Sequence, residues 1–329
     1  MGGAGERTGI GEAVLERAAD AAELGRLIAW LEARVAAGEV AQDAALEAAG
    51  PVGLALLAAF DAARLDLFAS PDPVLGPAGA GVGVNALAGG TTPAEVEAAA
   101  SAAVEAGFRT IKLKALAGDD AVSLAERVRA VRSAVGPDVA LRLDVNGTWN
   151  LETAIENIAA VEPFGLQYIE QPLPPDDLAG MAGLRRRTGV RIAADEAVRS
   201  RAAAKDVLDA GAADVLVVKP ARVGGPAVAG WIAGDAAARG VPVVLSSLFE
   251  TGVGLAAALA AAPRLPDVPG WPAAGRDHGL ATADLLATDL LEVPLSIQGG
   301  RMRVPGGPGT GGLGIALDEA ELVRCLVTR

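Results

Sequence analysis

Short apolar runs alternate with longer amphipathic segments along most of this chain. Within the longer segments, hydrophobic residues recur at intervals of three and four, which is typical of helices that bury one face. The short runs are rich in β-branched residues and indicate buried strands. They predict seven strands, at residues 82–87, 110–115, 140–145, 168–171, 191–195, 215–219 and 242–247, and a weaker eighth near 277–280. The alternation predicts parallel strands joined by helical crossovers.

The two ends of the chain have a different pattern. Residues 16–37 and 42–68 are mostly helical in periodicity, and the Pro- and Gly-rich residues 70–81 predict a linker. Near the other end, the segments 295–297 and 301–304 predict a small hairpin, and residues 318–327 predict a final helix. We therefore predict three parts: a capping domain at 1–80, a catalytic barrel at 81–291, and a C-terminal segment at 292–329 that returns to the cap.

Composition narrows the class of protein. The 329 residues suit one barrel of roughly 200–250 residues plus a smaller unit. A net charge of −13 argues against a nucleic-acid partner, because phosphate binding needs a basic face. Cys325 is the only cysteine, so the chain cannot form an internal disulfide. Without a signal peptide or an apolar run long enough to span a membrane, a cytoplasmic protein is expected. Its oligomeric state stays open.

Ionisable residues stand at the ends of five successive predicted strands. They are Lys114, Asp144, Glu170, Asp195 and Lys219, spaced 30, 26, 25 and 24 residues apart, about one strand–helix unit each. The carboxyl ends of barrel strands meet at one rim, where catalytic groups collect. A barrel therefore predicts that these side chains converge, whereas unrelated salt bridges at the rim would have no reason to occupy successive strands.

The three acidic members of this set suit a magnesium ion. Asp144, Glu170 and Asp195 supply hard oxygen ligands, which Mg²⁺ prefers while it keeps other positions for water or substrate. No histidine or cysteine is placed among these strand ends to make a zinc site. Mg²⁺ beside a substrate carboxylate would stabilise the enediolate that forms when the α-proton leaves.

Lysine is rare in this chain, which makes its positions informative. Three of the four lysines, Lys112, Lys114 and Lys219, lie on the predicted strands that carry this set. A lysine can lose its proton when burial and neighbouring charges lower its pKa, and an arginine cannot. Lys112 and Lys114 are two residues apart, so they share a face of the strand. Their repulsion should favour a neutral amine on one of them.

Two other features carry less chemistry. The Gly-rich residues 309–314 fit a dinucleotide-binding pattern, but no strand–helix unit follows, so we interpret them as a loop. His278 is the only histidine and lacks a nucleophile motif around it, so we interpret it as a structural residue of the barrel rim.

The strand-end motifs, taken as an ordered set, resemble a known family. IKLKA, LRLDVNGTW, YIEQPL, IAADEAV and VVKPARVGG are similar to the successive strand ends of the muconate-lactonising subgroup of the enolase superfamily. The resemblance runs from about Val82 to the C-terminus. It implies an α/β protein with an enolase-type (β/α)-barrel, similar to a TIM barrel, and a smaller α+β cap.

The resemblance also implies roles for individual residues. Asp144, Glu170 and Asp195 would bind the metal, and Lys114 and Lys219 would act from opposite faces of a small carboxylate substrate. Lys112 and Asn146 would assist them. Ser246, Ser247 and Glu250, where the seventh strand reaches the site, are candidate contacts either to the substrate or to the residues that bind it.

Within the subgroup, the segment LSSLFETGVGLAAALAA followed by DHGLATADLLATDLL resembles the o-succinylbenzoate synthases of menaquinone biosynthesis. That resemblance implies dehydration of a cyclohexadiene carboxylate, with Lys114 removing the α-proton and then protonating the departing hydroxyl. N-acylamino-acid racemase, dipeptide epimerase and muconate cycloisomerase remain alternatives that use the same residues. The Asp-x-Asp motif of epimerases is absent near residues 246–250. A non-catalytic, metal-binding relative is a further alternative.

The start of the chain departs from the family pattern. A Gly-x-Gly-Glu-Ala motif, which usually follows the first cap strands, stands here at residues 9–13. We expect the cap to be shortened by about two strands, through a misassigned start codon or a trimmed sequence.

Overall fold

The computed structural model of the protein describes residues 8–37, 43–67, 74–271, 276–306 and 312–326. Its N-terminal part is helical, as predicted, with helices α1 (Ala21–Ala36), α2 (Asp43–Ala48) and α3 (Gly50–Leu67). Helix α1 begins later than residue 16, after a short 3-10 turn. Of the predicted linker, residues 70–73 lie outside the described residues, and no helix or strand is assigned to residues 74–80.

Seven parallel strands form a single curled sheet in chain order. They are β2 (Ala86–Ala88), β3 (Thr110–Lys114), β4 (Ala140–Asp144), β5 (Tyr168–Glu170), β6 (Ile192–Ala194), β7 (Val215–Val218) and β8 (Val243–Leu245). Their residues are almost all buried, because barrel strands face a packed interior on one side and helices on the other. All seven strands predicted from the pattern are confirmed, although the first is divided. Its start forms β1 (Gly81–Gly83), which leaves the barrel sheet.

A short segment closes the sheet into a barrel. His278 pairs in parallel with Val84, just before β2, and Gly279 pairs in parallel with Ser246, just after β8. The backbone N–H of Gly279 donates to the carbonyl of Leu245 at 2.8 Å, and the N–H of Asn85 donates to the carbonyl of His278 at 2.9 Å. This segment lies where the weak eighth strand was predicted. The enolase-type (β/α)-barrel is therefore confirmed.

Helices cover the outside of the barrel between successive strands. They are α4 (Pro93–Glu105), α5 (Ala121–Val135), α6 (Leu151–Val161), α7 (Leu178–Arg185), α8 (Arg201–Asp209), α9 (Pro220–Val223), α10 (Pro226–Ala237) and α11 (Gly252–Ala261). Helix α4 begins with a complete capping box, in which Thr92 accepts from the N–H of Glu95 and the Glu95 carboxylate accepts from the N–H of Thr92. Such a cap fixes the residue at which the helix starts, and so limits the length of the loop between the preceding strand and the helix.

The predicted C-terminal hairpin is wrong, because its second strand pairs with β1 and not with residues 295–297. Strand β9 (Arg301–Arg303) pairs antiparallel with β1, with Met302 opposite Val82. The segment at 295–297 forms no strand; only Gln298 bridges Arg301 in a tight turn. Strand β1 offers β9 a full set of backbone partners, and a local pattern cannot reveal a partner more than 200 residues away. The last helix, α12 (Glu319–Arg324), is capped by Asp318 as expected.

Helix α3 holds both ends of the described chain. One carboxylate oxygen of Asp66 accepts from the N–H of Ile10 at 3.0 Å, and the other accepts from the N–H of Leu313 at 2.9 Å. The C-terminal segment thus reaches the N-terminal helices, although the domain boundaries at residues 80 and 291 stay a prediction. Of the Gly-rich loop predicted at 309–314, residues 309–311 lie outside the described residues.

Candidate active site

Three acidic side chains stand side by side at the carboxyl ends of neighbouring strands. Asp144 ends β4 and pairs directly with Glu170, which ends β5. Asp195 follows β6, the next strand around the barrel. Their exposed fractions are only 3%, 1% and 1%. Carboxylates this deeply buried are costly unless cations face them.

Lys112 supplies one of these cations. Its ammonium group lies 2.7 Å from Oε1 of Glu170 and 2.9 Å from Oδ2 of Asp144, so it joins the two acids from the β3 side. Burial would lower the pKa of Lys112, but the charges of Glu170 and Asp144 outweigh burial and raise it. Lys112 is therefore not the neutral amine that the repulsion between Lys112 and Lys114 led us to expect.

The other flank of the acidic group belongs to Lys219 and Arg222. Lys219 follows β7, and its ammonium group lies 2.5 Å from Oδ2 of Asp195. Arg222 donates to the second oxygen, Oδ1, at 2.9 Å. Burial would raise the pKa of Asp195, but these two cations outweigh burial and hold the pKa below its usual range. Arg222 also donates to Glu16, which connects the N-terminal segment to this flank.

Lys114, the last residue of β3, is exposed and lies at the mouth of the same site. This mouth opens into a cavity of about 530 Å³. Its charged wall carries Lys112, Lys114, Asp144, Lys219 and Arg222, with Asn146 beside them. Apolar side chains from the N-terminal segment and the strand ends, including Val14, Leu15, Leu87 and Phe249, complete the lining. Of the predicted set, Lys114, Asp144 and Lys219 open onto this space, whereas Glu170 and Asp195 do not line it. Lys114 and Lys219 stand at the ends of β3 and β7, the strands that flank the acids.

Asn146 lies two residues beyond Asp144 and has a left-handed backbone conformation, with φ of 49°. Its side-chain amide donates to Oε1 of Glu196 at 3.0 Å, and its N–H donates to Asp144 at 3.2 Å. Burial, and then the charge of Asp195, raises the pKa of Glu196. Asn146 thus links two neighbouring acids of the rim, which suits the assisting role that was predicted for it.

The three candidates from the seventh strand separate into two groups. Ser246 and Ser247 line the cavity, and the hydroxyl of Ser247 lies 2.7 Å from that of Thr282. Glu250 is buried away from the cavity lining, where its carboxylate accepts from the N–H of Leu248 at 2.7 Å. Burial raises the pKa of Glu250 to about 7. Ser246 and Ser247 remain candidate substrate contacts, whereas Glu250 is placed to shape the loop between them and α11.

Comparisons with known proteins agree with this geometry. Residues 95–321 match the model of the enolase C-terminal domain-like family. The chain belongs to that family. Its match to the muconate-lactonising group of the enolase superfamily confirms the resemblance drawn from the strand-end motifs.

Individual relatives within the family have several different activities. The chain is 41% identical over 215 residues to an o-succinylbenzoate synthase from Thermobifida fusca, a match that covers 65% of this chain and 63% of that protein. It is 39% identical over 208 residues to an N-succinylamino acid racemase from an Amycolatopsis species, covering 63% of this chain and 53% of that protein. The match therefore spans less than two thirds of either relative's length.

A solved structure extends the agreement to three dimensions. The substrate-liganded L-Ala-D/L-Glu epimerase from Bacillus subtilis superposes with a TM-score of 0.70 at 29% identity, covering 80% of this chain and 74% of that one. Among the described residues, no helix is long and apolar enough to cross a membrane.

Asp144, Glu170 and Asp195 offer carboxylate oxygens, the type of ligand that a divalent cation such as Mg²⁺ binds. Across the described parts of the chain, no three acidic, histidine or cysteine side chains form a finished metal cluster, because Lys112, Lys219 and Arg222 hold the carboxylate oxygens. One oxygen of Glu170, Oε2, is buried and has no hydrogen-bond partner. Burial, opposed by Lys112 and reinforced by Asp144, raises the pKa of Glu170 to about 8. An orphaned buried oxygen within a group of acids is the kind of ligand that Mg²⁺ would satisfy.

Sequence reasoning missed three residues that organise this site. Arg222 stands three positions after Lys219 in the motif VVKPARVGG, and Gln171 follows Glu170 with a φ of 39°. The side-chain oxygen of Gln171 accepts from the N–H groups of Asp195 and Ala197, which holds the next strand end in place. Glu12, in the Gly-x-Gly-Glu-Ala motif, accepts three hydrogen bonds at the start of α11. All three lie within motifs that the sequence already singled out, and this position was the one sign in the sequence that they take part in the site.

Proposed function

We propose that this protein is a Mg²⁺-dependent lyase that removes a proton α to a carboxylate, and that it acts as an o-succinylbenzoate synthase. It would dehydrate a cyclohexadiene carboxylate to the aromatic 2-succinylbenzoate, a step of menaquinone biosynthesis. The observation that carries the proposal is that lysines at the ends of β3 and β7 stand on either side of three buried carboxylates. The 41% identity to an o-succinylbenzoate synthase supports the choice of substrate.

Asp144, Glu170 and Asp195 would hold the magnesium ion. When bound, the ion would neutralise the substrate carboxylate and lower the energy of the enediolate. Glu170 could bind the ion through Oε2, which has no partner now. Both oxygens of Asp195 are held, by Lys219 and Arg222, so one of these contacts must be released for Asp195 to bind the ion. If Lys219 releases its contact, its ammonium group is free to face the substrate.

Lys114 is proposed as the base. It lies at the mouth of the cavity, away from the acidic group that holds Lys112, so its amine can accept the α-proton. The electron pair of the broken C–H bond forms the enediolate and then the new ring double bond as hydroxide departs. Lys114 returns its proton to that hydroxide, so water leaves and the base is restored. Lys219 stays charged and stabilises the negative charge of the enediolate from the other side.

A racemase acting on N-succinylamino acids is the second candidate. Lysines on both flanks suit a reaction in which one amine removes the α-proton and the other returns a proton to the opposite face. The 39% identity to an N-succinylamino acid racemase favours this alternative specifically. A dipeptide epimerase is less favoured, because the Asp-x-Asp motif is absent near residues 246–250. Muconate cycloisomerase would use the same residues, and a non-catalytic relative would bind Mg²⁺ without turnover.

The deciding experiment supplies the purified chain and Mg²⁺ with the cyclohexadiene substrate and follows the absorbance of the aromatic product. A parallel sample in D₂O with N-succinyl amino acids follows α-proton exchange by NMR. Aromatic product supports the synthase. Exchange without aromatic product would instead favour the racemase, and saturable Mg²⁺ binding without either reaction would favour the non-catalytic relative.

The remaining features of the proposal follow from this chemistry. The partner is a small anionic carboxylate, which the lysines and arginine of the cavity wall would attract. A cytoplasmic location suits an enzyme of quinone precursor synthesis. We also propose the division into a cap at residues 1–80, a barrel at 81–291 and a C-terminal segment at 292–329.

A further inference from the structure

Asn85 lines the cavity of the proposed active site, but it has no role in the proposed mechanism. It precedes β2, is 4% exposed, and lines the same cavity as Lys112, Lys114 and Lys219. Its backbone N–H donates to His278 in the segment that closes the barrel. Its position is therefore fixed by the closure of the sheet, as is usual for groups that must meet a ligand at a defined place.

A buried arginine fixes the orientation of the Asn85 side chain. Arg142 has no exposed surface, and its Nη1 donates to Oδ1 of Asn85 at 3.1 Å. Arg142 is itself held, by the carbonyl of Asp277 at 2.7 Å and by Gln167 at 2.7 Å, and its guanidinium lies 4.8 Å from the ring centre of Tyr168. Because a guanidinium only donates, the amide oxygen must face it. The NH₂ group of Asn85 is therefore the part of the amide turned away from Arg142, on a residue that lines the cavity.

The position of Asn85 in the ring of strands decides which part of a substrate it can reach. Strand β2 lies four positions from β6 in the closed barrel of seven strands and the segment at 277–280, so Asn85 stands across the cavity from Asp195. Strand β8, with Ser246, likewise stands opposite β4, with Asp144. Of the metal-binding acids, Asp195 thus lies on the wall opposite Asn85, Glu170 lies one strand nearer and Asp144 two strands nearer. A substrate whose reacting carboxylate faces Asp195 and Glu170 would extend its other end towards Asn85.

We propose that the NH₂ group of Asn85 is a specificity determinant that donates a hydrogen bond to an acceptor oxygen on the succinyl chain, the part of the substrate remote from the reacting carboxylate. The inference rests on the proposed function for the identity of that chain. Arg142 is a positioning residue, because it fixes the direction of the amide without reaching the cavity lining. A donor on this wall distinguishes succinyl-bearing carboxylates from simple aromatic or aliphatic ones.

Binding measured by calorimetry tests the inference without requiring turnover. The probes are 2-succinylbenzoate and benzoate, each titrated into the Mg²⁺-loaded chain; benzoate lacks the succinyl chain. Asn85→Ala should weaken 2-succinylbenzoate binding by about tenfold, the size of one lost hydrogen bond to a charged or strongly polar oxygen, and leave benzoate unchanged. Asn85→Asp keeps the acceptor that Arg142 needs but removes the donor, so it should weaken 2-succinylbenzoate binding at least as much.

The control variant is Asn157→Ala, at a buried asparagine of α6 outside the cavity lining, which should leave both affinities unchanged. A merely structural role for Asn85 predicts that Asn85→Asp retains wild-type binding of both probes, and that result would overturn the inference. Equal weakening of both probes, or no effect of Asn85→Ala, would overturn it too. A wild-type chain that does not bind 2-succinylbenzoate more tightly than benzoate would also overturn it. Failure of the proposed function shows separately, as absence of aromatic product from the wild-type chain.

Discussion

The ammonium group of Lys112 lies 2.7 Å from Oε1 of Glu170, and both side chains are buried. A cation therefore already occupies the place where the proposed function requires magnesium. The affinity for Mg²⁺ is then set by how readily the lysine and any proton on Glu170 give way.

We expect Mg²⁺ binding to depend on pH through Glu170. Its pKa is raised to about 8, so it binds a proton below that pH, and only the ionised form is a metal ligand. The apparent Mg²⁺ affinity should rise between pH 6.5 and 8.5, by up to about tenfold per unit below the pKa. Calorimetric titrations at both pH values measure it. Glu170→Gln should weaken binding and flatten the dependence, whereas Glu47→Gln, on the exposed side of α2, should change neither. A wild-type affinity that is the same at both pH values would count against the assignment.

The charge of Lys219 separates the two candidate reactions. The synthase needs only a cation at this position, whereas a racemase needs an amine that exchanges protons. Lys219→Arg should therefore retain part of any dehydration and abolish racemisation, while Lys219→Met should reduce both by about 10²–10⁴-fold. Steady-state rates with each substrate provide the measurement, with the exposed Lys205→Ala as the control. Racemisation that survives in the arginine variant would refute the proton-transfer role.

Glu12 should stabilise the contact between the N-terminal segment and the barrel. Its carboxylate accepts from the N–H and hydroxyl of Thr251 and from the N–H of Gly254, at 3.1, 2.7 and 2.9 Å. Glu12→Ala leaves these donors without their partner and should lower the free energy of unfolding by about 1–3 kcal/mol. Urea denaturation measures the change. Glu47→Ala should stay within about 0.5 kcal/mol of wild type. Equal stability of the two variants would show that the Glu12 contacts contribute nothing.

His278 should make stability fall as the solution becomes mildly acidic. Burial, and then the charges of Arg142 and Arg276, lower its pKa to about 3, while an unfolded histidine titrates near 6.5. Between these values the unfolded chain binds the extra proton, so stability is lost as pH decreases, by at most about 1.4 kcal/mol per unit. Unfolding of wild type and His278→Gln between pH 7 and pH 5 isolates this effect, because the carboxylates with a raised pKa, Glu170 and Glu250, are common to both proteins. Parallel pH profiles for the two proteins would contradict it.

The barrel and the order of its charged residues were predictable because both depend on local periodicity. A short strand ends where its apolar run ends, so the sequence alone places Asp144 and Glu170 at a shared rim. The closing segment at 277–280 was weak in sequence, since it is held by the edges of β2 and β8 and not by its own pattern. The partner of β9 could not be predicted for the same reason: β1 lies more than 200 residues earlier.

The ion pairs of the site were beyond sequence reasoning. Spacing placed Lys112 and Lys114 on one face, but only the depth of each side chain decides that Lys112 contacts two acids and Lys114 lies at the mouth. Arg222 belongs to the four-residue helix α9, which directly follows Lys219, so its contact with Asp195 depends on that short helix. The sequence left open whether Glu250 contacts the substrate or supports the residues that do, and only its burial away from the cavity lining favours the second role.

Replacement of Lys114 by alanine removes the side chain that is proposed to move the proton. The measurement is the rate of aromatic product formation from the cyclohexadiene substrate, with the magnesium content of the same sample determined in parallel. If Lys114 is the base, the rate should be lower by about 10²–10⁴-fold, with magnesium bound as in the wild-type chain. A Lys114→Ala protein that retains its magnesium and turns over at the wild-type rate would contradict it.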